Sequence, residues 1–249
     1  MPDDASSTTA SAGAAAADAP VRSGQRAAGP AAVLWDMDGT LVDTEPYWYR
    51  AEADLVAAHG GRWTQADALA VIGFDLLDSA AYLQRVGGVD MPAAEIVDLM
   101  IDRVVEQMAD DPPWQPGALD LVAELRVAQV PCVLVTMSWR RLADAVVDLL
   151  PPGSFAATVV GDEVPRGKPH PDPYLAAAAA AGAAPHDCLA IEDSPTGVAS
   201  ARAAGCVVVG VPHIVELPAG AVDAVVPTLE GLDLAGLRRL YAAATSRRT

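Results

Sequence analysis

The chain has 249 residues, of which 52% are hydrophobic and 20% charged, enough apolar material for one core domain with an insertion or for two small domains. Thirty-three acidic residues against 16 basic ones give a formal net charge of −17 with no basic stripe, which argues against nucleic acid as a partner. No apolar run reaches the roughly eighteen residues that a membrane-spanning helix needs. The three scattered cysteines, Cys132, Cys188 and Cys206, form no CxxC pattern and suit a reducing, cytoplasmic compartment.

Residues 1–30 are rich in Ala, Ser, Gly and Asp and lack the basic start and apolar centre of a secretory signal, so they read as a disordered tail. A first strand is expected over 31–35, with the polar exit Asp36-Met37-Asp38-Gly39-Thr40. Further short, Val-rich runs predict strands at 130–135, 157–160, 189–191, 207–211 and, more weakly, 224–226. Helical patterns separate them at 116–129, 139–150 after Ser138 as N-cap, 173–181 and 195–204, the last two stopped by Gly182 and Gly205. Between the first two strands, residues 45–113 read as helices only, broken at Gly60-Gly61 and Gly87-Gly88, with Thr64 and Asp67 spaced as a cap. The expected class is α/β: a Rossmann-like, mostly parallel sheet core with an inserted α-helical cap. The core takes 31–44 plus 114–240, the cap takes 45–113, and 241–249 is left as a second tail.

Polar signals fall where predicted strands end: Asp36 and Asp38, Thr136, Lys168, and Glu192-Asp193. Parallel strands bring these to one edge of the sheet. Two carboxylates ~4 Å apart repel by ~4 kcal/mol at an effective dielectric near 20, so such a crevice calls for a cation or a shared proton. Hard oxygens without nearby His or Cys favour Mg²⁺ over Zn²⁺, and Mg²⁺ commonly shares its shell with substrate phosphate. Lys168 is the single lysine among the 16 basic residues. A chain that otherwise uses arginine keeps a compact ammonium here.

These residues resemble the four motifs of the haloacid dehalogenase superfamily. Asp36-Met37-Asp38-Gly39-Thr40-Leu41-Val42 resembles the first, Thr136 the second, Lys168 in Gly-Lys-Pro-His-Pro-Asp the third, and Ile191-Glu192-Asp193-Ser194 with Gly197 the fourth. Order and spacing agree over about 31–230, and the helical block resembles the small cap of the β-phosphoglucomutase-like and phosphoglycolate-phosphatase-like branch. The resemblance implies a Mg²⁺-dependent phosphatase acting on a small phosphorylated metabolite through an aspartyl-phosphate. Asp36 is then the nucleophile and Asp38 the acid and base. Asp36, the backbone carbonyl of Asp38 and Asp193 hold the metal, with Glu192 behind them or acting through a water. Thr136, the backbone N–H of Met137, and Lys168 bind phosphate. Trp48, Arg50 and Gly73 are expected to meet the substrate from the cap, and a monomer is the default assembly.

The resemblance leaves rivals. A dehalogenase lacks the second Asp, and a phosphonatase needs a cap lysine that is missing here. A sugar-phosphate mutase of the same branch carries a His shortly after the first motif, where Trp48 stands in this chain. Arg50, Arg62, Arg85 and Arg103 are the cap cations that a second phosphate would have to use. A non-catalytic binding protein on this scaffold should have lost Asp36 or Asp38, and both remain.

Overall fold

In the computed structural model, which describes residues 29–72, 74–109 and 112–248, each predicted apolar run becomes a strand. Expectations that fall on residues 1–28 and on Gly73 lie outside the described residues. In chain order the elements are β1 (Ala32–Trp35), α1 (Glu45–Ala58), α2 (Gln65–Val71), α3 (Leu76–Gly87), α4 (Ala93–Met108), α5 (Ala118–Val127), β2 (Cys132–Val135), α6 (Arg140–Asp148), β3 (Ala157–Val159), α7 (Asp172–Ala180), β4 (Cys188–Glu192), α8 (Pro195–Ala204), β5 (Val207–Gly210), β6 (Ala224–Val225) and α9 (Leu234–Arg248).

The six strands pair in the order β3-β2-β1-β4-β5-β6, and every pairing is parallel. Alternation along β1 divides the core. Val33 and Trp35 face α5, α6 and α9, while Ala32 and Leu34 face α7 and α8. Both faces are covered, which is why the strands read as continuous apolar runs rather than alternating ones. The chain leaves β1 toward β2 and β3 on one side and later returns to β4 and β5 on the other. A crevice therefore opens between the carboxyl ends of β1 and β4, the place where open α/β sheets bind ligands.

Helices α1 to α4 fill the long connection from β1 to β2. The predicted cap of α2 is a full capping box: the Thr64 hydroxyl accepts from the N–H of Asp67, and the Asp67 carboxylate accepts from the N–H of Thr64. Asp75 caps α3, and Gly88 closes it in the left-handed conformation. The apolar side chains of the block, including Leu83, Ile96, Ile101 and Val104, belong to the same cluster as Val33 and Trp35 of the sheet, and Trp63 meets Tyr82 edge-on with ring centroids 5.9 Å apart.

Two expectations change. Ser138 does not cap α6; the N-cap position is Trp139 without a side-chain bond, because the Ser138 hydroxyl is engaged elsewhere. Residues 241–248 are not a tail but the second half of α9, with Tyr241 and Ala244 buried against the sheet. The small residues and arginines of 242–248 make this stretch look polar, whereas one narrow stripe of it is apolar. Tyr241→Ala should therefore lower stability by about 2–4 kcal/mol in urea denaturation. An unchanged midpoint would mean that the end of α9 contributes nothing to the core.

Candidate active site

The turn after β1 is tight. The N–H of Gly39 bonds the carbonyl of Val42, and those of Leu41 and Val42 bond the carbonyl of Met37. Gly39 has φ +88°, and a Cβ there would meet Asp193 Oδ2 at 2.2 Å, so both backbone freedom and the approach of Asp193 require glycine. Asp36 continues β1, with its N–H bonded to the carbonyl of Ile191 at 3.1 Å. The first and fourth sequence signals thus meet across the crevice.

Lys168 reaches into that crevice with its side chain 4% exposed. Its Nζ lies 2.6 Å from Asp36 Oδ1 and 2.6 Å from Glu192 Oε1. Burial works against the ammonium, but Asp36 and Glu192 together outweigh it and hold its pKa above the ordinary lysine value. Glu192 is fully buried and also accepts from the Tyr174 hydroxyl at 2.7 Å on Oε1 and from the Ser194 hydroxyl at 3.1 Å on Oε2. A Cβ on Gly197 would lie 1.8 Å from Glu192 Oε1, which explains the glycine that follows the fourth motif on the first turn of α8.

One carboxylate oxygen of Asp36 is spoken for; the other is not. Asp36 Oδ2 is buried and has no hydrogen-bond partner among the described residues. Ligand oxygens of Asp36, Glu192 and Asp193 lie within 4.8 Å of one another. Burial, then Glu192, raise Asp36 to about 7 despite Lys168. Asp193 is pushed well above the usual carboxylate range by burial, then by Asp36 and Glu192. Three hard carboxylates whose oxygens crowd together with only one ammonium between them fit a divalent cation such as Mg²⁺.

Asp38 is held from all sides. Its Oδ1 accepts from the hydroxyl of Thr44 at 2.6 Å and from Trp48 Nε1 at 3.4 Å, and its Oδ2 accepts from the hydroxyls of Thr136 at 3.0 Å and Ser138 at 2.8 Å. Asp36, Asp38, Thr136, Met137, Lys168 and Asp193 line one cavity of about 120 Å³, roofed by α1, α2, α3 and α4. Glu192 stands behind it.

The cap residues divide. Trp48 lines the cavity, and Arg50 does not. An α-helix turns ~100° per residue, so Glu45, Trp48, Tyr49 and Glu52 share one face of α1 and Arg50 falls about 150° from its centre. Arg50, Arg62, Arg85 and Arg103 are all exposed, and none lines the cavity. Sequence reasoning missed Tyr174, Thr44, Ser138 and the two glutamates of α1. The glutamates did carry a signal, since 45, 48, 49 and 52 follow the i, i+3, i+4, i+7 spacing of one helix face.

Such a sheet, with its acidic cluster and buried lysine at the point where strand order reverses, defines an α/β enzyme working at the carboxyl edge of its strands. A family profile described as haloacid dehalogenase-like hydrolase matches residues 30–205, and the chain belongs to that family. It is 34% identical over 202 residues to hexitol phosphatase A of Escherichia coli, covering 79% of this chain and 90% of that one. The crystal structure of CbbY from Rhodobacter sphaeroides in complex with phosphate superposes with a TM-score of 0.76 at 29% identity, over 84% of this chain and 99% of that one. A β-phosphoglucomutase from Clostridium difficile superposes with the same TM-score at 19% identity, over 88% and 100%, a likeness of fold alone. The chain is a phosphoric monoester hydrolase of this family. Among the described residues, no helix is long and apolar enough to cross a membrane.

Glu52 allows a test of the site's electrostatics. It is 4% exposed, with Oε2 accepting from Trp63 Nε1 at 2.9 Å. Burial, with Glu45 adding to it, raises its pKa from 4.5 to about 8. Between those values the native state holds a proton that the unfolded chain has released, so stability falls as pH rises through the window. Glu52→Gln removes that fall. Its melting temperature should gain on the wild type as pH increases across the window, measured by calorimetry, whereas a constant difference would contradict the raised value.

Proposed function

We propose that the protein is a Mg²⁺-dependent phosphatase of a small phosphate ester, a sugar phosphate or a similar metabolite, working through an aspartyl-phosphate on Asp36. The observation that carries this reading is the division of Asp36, a residue that lines the cavity: Oδ1 is fixed by Lys168, while Oδ2 is buried without a described partner. A nucleophile needs that combination of fixed aim and a free lone pair.

Asp36 Oδ2 attacks phosphorus, and the bond to the leaving oxygen breaks. Asp38 gives that oxygen a proton, then takes one from the water that attacks the aspartyl-phosphate, and free phosphate leaves with Asp36 restored. The four donors around Asp38 keep its carboxyl in place between the two half-reactions. Thr136, the N–H of Met137 and Lys168 take the phosphate oxygens. The carboxylates of Asp36 and Asp193 and the backbone carbonyl of Asp38 would hold Mg²⁺, with Glu192 behind, where its oxygens orient Lys168 and Ser194. When bound, the metal supplies positive charge against the phosphate and the acidic cluster.

In this reading, residues 45–113 act as a cap that excludes water over the reacting atoms. The relatives include enzymes named for hexitol phosphates and phosphoglycolate, which supports a small soluble ester. A mutase is disfavoured because Trp48, not a proton-carrying His, touches Asp38. Purified protein with Mg²⁺ and a panel of small esters should release phosphate. Chelation of the metal should abolish the release, and Asp36→Asn should lower it by roughly 1,000-fold or more. Interconversion of hexose phosphate isomers without release would establish the mutase instead.

A further inference from the structure

The half of the cavity that faces the substrate's non-reacting end is acidic in composition and has no cation of its own. Its α1 wall carries Glu45, Trp48, Tyr49 and Glu52, and α3 adds Ser79. Among the described residues lining the cavity, Lys168 is the sole basic side chain, and it is already committed to Asp36 and Glu192. A second phosphate or a carboxylate on the substrate would enter a partly dry wall that offers no cation to pair with it, an unfavourable placement.

Glu52 is the most deeply buried polar group of this wall. One of its oxygens accepts from Trp63 Nε1, and the other has no hydrogen bond from a described residue. Glu45 stands next to Asp38, whose charge it feels, and Glu52 lies seven residues further along the same face. Seven residues of helix span ~10 Å. That is the length of an extended chain of roughly six carbons measured from the phosphate end.

We propose that this face of α1 is the subsite for an uncharged, polyhydroxylated chain of roughly six carbons, and that Glu52 is its specificity-determining residue, hydrogen-bonding the hydroxyls farthest from the phosphate. The inference rests on the phosphatase reading above and names the substrate class within it. Burial keeps Glu52 protonated to about pH 8, so near neutrality it both donates and accepts, as recognition of a hydroxyl requires. A site built to bond a hydroxyl discriminates strongly against a substrate that lacks it, because its own buried polar group is then left unpaired.

The test is a ratio, so that a general loss of stability cancels. kcat/KM is measured for a hexitol 6-phosphate, for glycerol 3-phosphate, which is too short to reach Glu52, and for a hexitol bisphosphate. The wild type should prefer the hexitol monophosphate over both. Glu52→Leu should reduce the hexitol-to-glycerol ratio by about 10- to 100-fold, and Glu52→Gln, which keeps a donor at the cavity, should hold it within about threefold. A ratio unchanged in Glu52→Leu would overturn the proposal and leave Glu52 as the acceptor of Trp63 only, as would a wild type that prefers the bisphosphate. If no ester is hydrolysed at all, the phosphatase reading fails by itself. The same ratio, taken as affinities for Asp36→Asn by calorimetry, then still decides the subsite.

Discussion

Lys168, held between Asp36 and Glu192, organises the site. One ammonium, almost wholly out of water, faces two carboxylates at 2.6 Å, with Asp193 close behind. Carboxylates whose oxygens lie within 4.8 Å of one another repel by on the order of 3 kcal/mol per pair at an effective dielectric near 20. Removing the lysine would leave uncompensated buried charge, the expensive case for a buried pair. The neighbouring residues relieve the crowding. Tyr174 and Ser194 give hydrogen bonds to Glu192, and Gly39 and Gly197 supply the space that Asp193 and Glu192 occupy. The remaining excess of negative charge suits a divalent cation and a phosphate that bring each other in.

The fold delivers this cluster through strand order alone. β1 and β4 are neighbours whose chains continue to opposite sides of the sheet, so Asp36 and Glu192-Asp193 end on the same crevice. α1 then joins core to cap. It begins just beyond the Asp36–Asp38 turn, and its Glu45, Trp48, Tyr49 and Glu52 face forms the cavity wall, so chemistry and selection share one helix. Contacts from Arg141 to Asp98 and Asp102 also tie α6 to α4, but they lie at the surface, where such pairs contribute little.

Much of this was legible in the sequence, because the signals were local. Strand runs, the Thr64 cap, the glycine stops and the polar residues at strand ends follow from short-range physics, and the sheet did converge them. What was not legible depended on packing. Ser138 has the chemistry of a cap, and only the approach of Asp38 recruits it away. Tyr174 reads as one apolar residue in an alanine-rich helix until Glu192 is found beneath its hydroxyl. Arg50 stands out by its charge, whereas helix phase rules it out and brings Glu52 forward. The end of α9 escapes a sequence reading because Tyr241 and Ala244 make too sparse a stripe to outweigh the arginines around them.

A covalent phosphoryl group on Asp36 is what the proposed chemistry requires above all. Rapid acid quench of the Mg²⁺-loaded wild-type enzyme during turnover, followed by peptide mass spectrometry, looks for it without intermediaries. The expected result is a transient phosphoryl mass increment on the peptide carrying Asp36, lost as product forms and absent in Asp36→Asn. Turnover with no increment on that peptide at any time, and with Asp36→Asn still active, would rule the intermediate out.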